Sequence, residues 1–292
     1  MGISKPIVCE IARDTLAINE FGMAACFLLW GSERGLLIDT GCGMYNMKEI
    51  ADELSPVPYD VMITHAHGDH MGGIDYFEEI YMHPDDFRYM TPEGMESRRE
   101  RYSAGGGYAQ MMTGFGSFDA YDITYEQQHY PERIPKLLPM PEGHVFHLGG
   151  RDIEVIHTPG HTEGEVCLID TRERILFSGD ACNPNLGISA TSINTAYNGL
   201  LKVKARQADF DRNFNNHIGY GGSNVIRSIP AETLDDALWI MENLIRGTVQ
   251  FEYRVSPMRP NSPPTWFISH GTCLINSRTE PRILDEGEVP AV

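Results

Sequence analysis

The sequence predicts a layered α/β protein in which two β-sheets pack face to face and helices cover their outer sides. Three observations carry this expectation. Short apolar runs of strand length, separated by Gly, Asn and Asp, recur near the N-terminus at residues 7–11, 15–18, 24–30 and 35–39. The same strands-then-helix order returns in the second half. Finally, Leu234, Ala237, Leu238, Met241, Leu244 and Ile245 fall on one stripe of a predicted helix over 233–245. A sheet face and a helix stripe each need an apolar partner, and stacking them in layers supplies it.

Taken in order, Asn19-Glu20-Phe21-Gly22 and Gly31-Ser32-Glu33-Arg34-Gly35 provide turns between the first strands. Met47, Ile50, Ala51 and Leu54 stand at helical spacing, which predicts a helix over 44–54. A strand at 59–63, a short helix at 74–77 and a strand at 80–82 follow. Pro84 can open another helix, because the first helical position needs no amide hydrogen. From about 86 to 141 no period survives. Gly-rich breaks interrupt a segment that scatters Tyr102, Tyr108, Met111, Met112, Phe115 and Phe118. A long irregular insertion of this kind is expected to be a lid, a dimerisation element or a surface excursion. Strands at 145–148, 152–157, 166–170 and 175–178 come next. Helices at 199–206 and 233–245, then strands at 249–253, 266–269 and 272–275, complete a single domain over 1–292.

The 292 residues carry 41 acidic against 23 basic side chains, a net charge of -18 that repels polyanions and argues against nucleic acid as a partner. Lys202, Lys204 and Arg206 form the densest basic run and read as a solvated helix face. No apolar stretch approaches the roughly 18 residues that cross a bilayer, so no membrane association is expected. The first residues lack the apolar core of a signal peptide. Six cysteines without CxxC spacing suggest reduced thiols and a cytoplasmic protein.

The chemistry concentrates in Thr64-His65-Ala66-His67-Gly68-Asp69-His70-Met71-Gly72-Gly73, which follows the apolar run Val61-Met62-Ile63. Neutral imidazole nitrogens and carboxylate oxygens are ligands for borderline divalent metals, and catalytic zinc sites leave a position open to water. His157-Thr158-Pro159-Gly160-His161-Thr162 presents another imidazole from a strand end, and Leu176-Phe177-Ser178-Gly179-Asp180 another carboxylate. Together with Leu37-Ile38-Asp39-Thr40-Gly41, and in this order, these segments resemble the metallo-beta-lactamase superfamily of hydrolases. The resemblance covers nearly the whole chain outside 86–141, and its specific part is the HxHxDH run combined with PGHT.

That resemblance implies a four-layer αββα sandwich and a dinuclear centre. In it His65, His67 and His161 would hold one ion, Asp69 and His70 the second, and Asp180 would bridge both. Asp39 would orient a ligand imidazole from outside the ligand set. The last ligand stays open between two histidines. His270, followed by Gly271, ends a late apolar strand after the amphipathic helix, as the family's ligand does, although Ser269 stands where Gly is frequent. His217 is the alternative, ranked lower because Asn213-Phe214-Asn215-Asn216 reads as loop.

Two divalent cations, zinc ahead of iron or manganese, would ionise a water between them and polarise a carbonyl. Asp69 is the candidate to pass a proton to the leaving group. Asn183 and Tyr197 are candidates to polarise the carbonyl. An Asp at 180 resembles the lactonase, glyoxalase II and phosphodiesterase branches. The expected reaction is therefore cleavage of an ester, lactone or thioester in a small organic substrate. A mononuclear iron oxygenase similar to persulfide dioxygenases, or a phosphodiesterase, stands as the alternative. A non-catalytic binding module is disfavoured by the complete set of ligands.

Overall fold

Side chains alternate across each strand, and that alternation builds the centre of the molecule. The structure is a computed structural model that describes residues 5–20, 22–92, 133–217, 226–255 and 263–292. Strands β1 (Ile7–Ala12), β2 (Thr15–Glu20), β3 (Ala24–Trp30) and β4 (Gly35–Ile38) form an antiparallel meander. The sheet continues in parallel through β5 (Tyr59–Met62), β6 (Glu79–Met82) and β7 (Lys136–Pro139). A second sheet has the order β13-β11-β10-β9-β8, from β8 (Val145–His147), β9 (Asp152–His157), β10 (Val166–Asp170), β11 (Ile175–Phe177) and β13 (Arg212–Phe214).

Ala25, Phe27, Leu29, Leu36, Ile38 and Met62 of the first sheet meet Ile153, Val155, Val166, Leu168, Ile175 and Phe177 of the second in one dry cluster. Phe27 lies 4.8 Å from Phe177 between ring centroids, across the two layers. The intervening residues face outward. Leu28, Leu37 and Val61 pack under helix α1 (Met47–Leu54), while Ile156, Cys167, Ile169 and Leu176 pack under α3 (Ile193–Ala205) and α4 (Thr233–Ile245). The short turn of helix α2 is Gly68–Met71. Helix, sheet, sheet, helix is the expected order of layers. A four-stranded sheet, from β12 (Asn185–Gly187), β16 (Cys273–Ser277), β15 (Thr265–His270) and β14 (Glu252–Arg254), adds Leu186, Cys273 and Ile275 to the outer core beside α4.

Several elements differ from the sequence reading, which foresaw neither β12 nor α2. Helix α3 begins at Ile193, six residues before the expected start, because the Ser192 side chain accepts a hydrogen bond from the Thr195 amide and caps it. Asn194, Thr195 and Asn198 are weak helix formers, which hid that first half. Residues 136–139, inside the expected insertion, form β7 and pair with β6. The 3₁₀ turn Pro84–Tyr89 occupies the insertion's other end. Tyr102, Tyr108, Met111, Met112, Phe115 and Phe118 lie outside the described residues. Most consequential, Arg212–Phe214 is a strand, paired in parallel with β11 so that Phe214 stands opposite Phe177. All six cysteines are free thiols, and no described helix is long and apolar enough to cross a membrane.

The sandwich is fastened at one rim by a fully buried ion pair. Arg151, between β8 and β9, donates from Nε to Asp170 Oδ2 at 3.0 Å and from its terminal nitrogens to the Asp14 carbonyl at 2.8 Å and Thr15 Oγ1 at 2.7 Å. The guanidinium thus joins the start of β2, in the first sheet, to the end of β10, in the second. Both charged side chains are wholly shielded from solvent, so removing one leaves the other without compensation. Asp170→Ala is expected to lower the unfolding free energy by about 3–5 kcal/mol in urea titrations; a loss below about 1 kcal/mol, the worth of an exposed pair, would contradict this role.

Candidate metal centre

One rim of the sandwich collects the polar groups, and strand directions explain why. Strands β4 and β5 run parallel, and so do β11 and β13. Asp39, the 64–70 loop, Asp180 and His217 all lie just past the C-terminal ends of these strands. Because β10 is antiparallel to both β9 and β11, Glu165 just before β10 lies at the same end as His161 after β9. Apolar strands thus deliver polar groups only after their last core residue. Gly72 allows the loops to close: a Cβ there would stand 2.1 Å from the Cys42 carbonyl carbon.

Asp39 anchors the first loop. Its carboxylate accepts from the Thr64 amide at 2.7 Å, the Thr64 hydroxyl at 2.8 Å and His70 Nδ1 at 2.8 Å. Those bonds hold Asp39 at φ 62°, a left-handed conformation that costs a non-glycine residue free energy and persists where surroundings over-determine it. With its proton on Nδ1, His70 turns the lone pair of Nε2 inward, where that buried atom has no hydrogen-bond partner among the described residues. His161 Nδ1 donates to the Gly187 carbonyl at 2.7 Å, and His217 Nδ1 faces the Met23 carbonyl at 3.3 Å. His65 Nδ1 lies 3.2 Å from Thr64 Oγ1. Each of these rings therefore points Nε2 into a common space.

The inward atoms are close together. His67 Nδ1 is 3.0 Å from His65 Nε2 and 2.8 Å from His161 Nε2. One ring proton cannot satisfy both neighbouring lone pairs, so the trio repels itself without a cation. On the other side, His217 Nε2 lies 3.2 Å from Asp180 Oδ2 and 3.6 Å from Asp69 Oδ2. Asp180 stands between the groups, 3.4 Å from His161 Nε2 and 3.9 Å from His70 Nε2. Two sets of donors result: His65, His67 and His161, and Asp69, His70 and His217, with Asp180 also within reach of His65 and His70. The orphaned His70 nitrogen, the crowded imidazole trio and the nitrogen–carboxylate donor chemistry all fit divalent cations.

Protonation preferences differ between the two donor sets. Burial, then the neighbouring imidazoles, depresses His65 far below the ordinary range, and burial with His161 takes His67 down to about 3. Both rings stay neutral, the form that ligates metal. Burial opposes the charged form of His217, but Asp180, Asp69 and the Met23 carbonyl outweigh it and lift the ring to about 9. His70 is raised against the same burial by Asp39, Asp69 and Asp180. Burial likewise works against ionised Asp180, and His217, His161 and His70 overcome it, holding the carboxyl well below its usual range.

The structure brings His65, His67, Asp69, His70, His161, Asp180 and the adjoining Asp39 together. It departs from expectation at two positions. His270 is away from the cluster: its ring stacks on Trp239 at 3.7 Å, and its nearest carboxylate is Asp236 at 3.9 Å. His217 stands in the cluster instead. The loop reading of 213–216 misled because β13 is only three residues long and holds its place through pairing with β11. Asn216 then donates its side-chain amide to the Ala25 carbonyl at 2.6 Å, fixing the residue before His217. Tyr197 is also misplaced in the sequence reading: it is buried in the outer core, with Glu242 and Arg246 as its charged neighbours. Asn183 does adjoin the centre, its amide 3.4 Å from Asp180 Oδ1.

Two residues escaped the sequence reading. Glu165 is fully buried, accepts from the Asp180 amide at 2.8 Å, and places its other oxygen 3.3 Å from His65 Nδ1. The available signal was a charged residue four after His161, abutting an otherwise apolar strand. Asp86 ties the 64–70 loop to the loop carrying His161, accepting from the Ala66 amide at 2.8 Å, Thr162 Oγ1 at 2.9 Å and the Gly164 amide at 2.9 Å. It fell at the edge of the aperiodic insertion, where no local pattern marks it.

Residues 19–209 match the family model described as the metallo-beta-lactamase superfamily. Among curated proteins, the chain is 31% identical over 172 residues to the acyl-coenzyme A thioesterase MBLAC2 of Gallus gallus, covering 54% of this chain and 57% of that protein. It is 29% identical over 157 residues to an atrochrysone carboxyl ACP thioesterase of Cryptosporiopsis sp. (strain 8999), covering 51% of this chain and 35% of the relative. The chain thus spans little more than half the length of the curated relatives it matches, or less. A metallo-beta-lactamase from Pontibacter korlensis superposes with a TM-score of 0.54 at 16% identity, over 82% of this chain and 100% of that one, which is a likeness of fold.

A pH dependence follows for protein stripped of metal. His217 has a folded pKa raised to about 9, above its unfolded value of 6.5, so its stabilising contribution is complete below pH 6.5 and is lost as pH rises through 9. Denaturation midpoints of chelator-treated protein are expected to fall over that window, and His217→Gln to flatten the fall. An unchanged slope in the variant would refute the assignment.

Proposed function

Since the chain belongs to the metallo-beta-lactamase superfamily, we propose that it is a dinuclear metal-dependent hydrolase of acyl thioesters. The observation that carries the reading is the pair of converging donor sets on either side of Asp180. The thioester, among other acyl bonds, is favoured by the names of the two curated relatives. His65, His67 and His161 would hold one ion and Asp69, His70 and His217 the other, with Asp180 shared. Bound divalent cations, zinc foremost, supply an ionised water at neutral pH and a positive charge for the carbonyl oxygen.

The chain's own groups prepare that chemistry. Asp39 and the Gly187 and Met23 carbonyls fix ring orientation by holding the outer nitrogens of His70, His161 and His217. Glu165 holds the backbone of Asp180, and Asn183 its carboxylate. Asp69, buried beside His217, is positioned to take the proton released by the attacking water and carry it towards the departing sulfur. A thiol with an ordinary pKa of about 8.5 leaves readily as thiolate, so such a substrate demands a nucleophile more than a strong acid. Water adds to the thioester carbonyl, the C–S bond breaks, and a carboxylic acid and a free thiol result.

Zinc-replete protein is expected to release thiol from acyl-coenzyme A esters faster than it cleaves lactones, phosphodiesters or beta-lactams; a phosphodiester as the best substrate would overturn the reading. Asp180→Ala should lose metal and activity together, by more than the roughly 10–100-fold that loss of an outer hydrogen-bond partner costs. His217→Ala should behave likewise while His270→Ala retains wild-type turnover and metal content. The reverse ranking of the two histidines would remove His217 from the centre.

A further inference from the structure

A second group of ligating side chains lies outside that centre. His83 is the first residue past β6, Asp85 sits in the 3₁₀ turn Pro84–Tyr89, and His157 is the last residue of β9. The group therefore spans the two stacked sheets at their rim. The imidazoles of His83 and His157 lie face to face, 3.8 Å apart between centroids with planes 12° apart. Asp85 Oδ2 stands 3.6 Å from His83 Nδ1 and 3.9 Å from His157 Nε2. One ligating atom of each residue lies within 4.8 Å of the other two.

Both carboxylate distances are too long for hydrogen bonds. They are close to the roughly 3.3 Å that separates two ligands of one tetrahedral zinc ion with bonds of about 2.0–2.1 Å. Burial, then the neighbouring His157, pushes His83 down to about 4, so that ring remains neutral near pH 7. The His83 side chain is 9% exposed and that of Asp85 56%, an arrangement with one open side where water can complete a coordination shell. His157 Nε2 donates to the Glu163 carbonyl at 2.7 Å, and His83 Nδ1 accepts from the Asp85 amide at 3.3 Å. An imidazole holds a cation in its own ring plane, so ligation would exchange these two contacts for bonds to the ion and turn one of the stacked rings out of parallel.

We propose that His83, Asp85 and His157 form a separate binding site for one divalent transition-metal ion of the zinc type, joining the two sheets. The site differs from the hydrolytic centre in residues and does not depend on the reading given to it. Its next neighbour in the chain is Asp86, which holds the Ala66 amide and the Thr162 hydroxyl. An ion here therefore stiffens the turn that ties the two ligand-bearing loops, and adds its binding free energy to the fold.

The test is zinc stoichiometry of the full chain, measured by equilibrium dialysis and elemental analysis, in wild type, Asp85→Ala and His83→Gln. Each variant is expected to bind one equivalent fewer than wild type and to gain less in thermal midpoint when zinc is added. Equal zinc content in all three proteins would overturn the proposal. Because the readout is a difference, it stays decisive however many ions the hydrolytic centre holds. Should His83→Gln fail to fold, Asp85→Ala removes the more exposed ligand and carries the test alone.

Discussion

The carboxylate of Asp39 accepts hydrogen bonds from the Thr64 amide, the Thr64 hydroxyl and His70 Nδ1. This one group ties the end of β4 to the loop after β5 and decides which nitrogen His70 turns inward. His161, His217 and His65 repeat the pattern with two backbone carbonyls and a hydroxyl as outer partners. In their neutral forms these rings carry the proton on the outer nitrogen and leave the inner lone pair facing a shared interior. Such an interior is costly when empty of charge, because buried polar atoms there lack partners. A cation would turn the same crowding into ligation.

The two-layer frame makes this concentration tolerable. Its centre is dry and apolar, with Phe27 against Phe177 and Phe214. One rim is closed by Arg151 and Asp170, whose charges satisfy each other and nearby backbone carbonyls. The opposite rim gathers the carboxylates and imidazoles. Charge is excluded from the middle and held at two edges, one of which is stable by internal pairing. The other is poised for a ligand.

Outside the donor sets, Glu165 and Asp86 show how loops from distant parts of the chain are kept in register. Glu165 lies between His65 and the Asp180 backbone, and Asp86 binds both the 64–70 loop and the loop carrying His161. Neither needs to touch a substrate to matter. Loops are the natural place for reactive groups, but they hold ångström-scale geometry only when side chains brace them against a rigid scaffold. The acidity of the chain is spent partly on this bracing.

Much of the cluster was legible because its candidate donors are local in sequence. His65, His67, Asp69 and His70 fall within six residues after an apolar strand, and His161 and Asp180 each follow another strand closely. Strand and helix periods likewise revealed the layers, since a core face leaves its mark every second or every third to fourth residue. The amino-acid order alone therefore determined the sandwich, the rim and most of the donor set. It was tertiary structure that placed His217 beside Asp180 and His270 against Trp239, moved Tyr197 into the outer core and brought in Glu165 and Asp86. Three-residue β13 has no period of its own to read, and becomes a strand only through pairing with β11. Which histidine reaches the cluster is set by where non-local pairing ends a strand, and that information is spread over residues far apart in the chain.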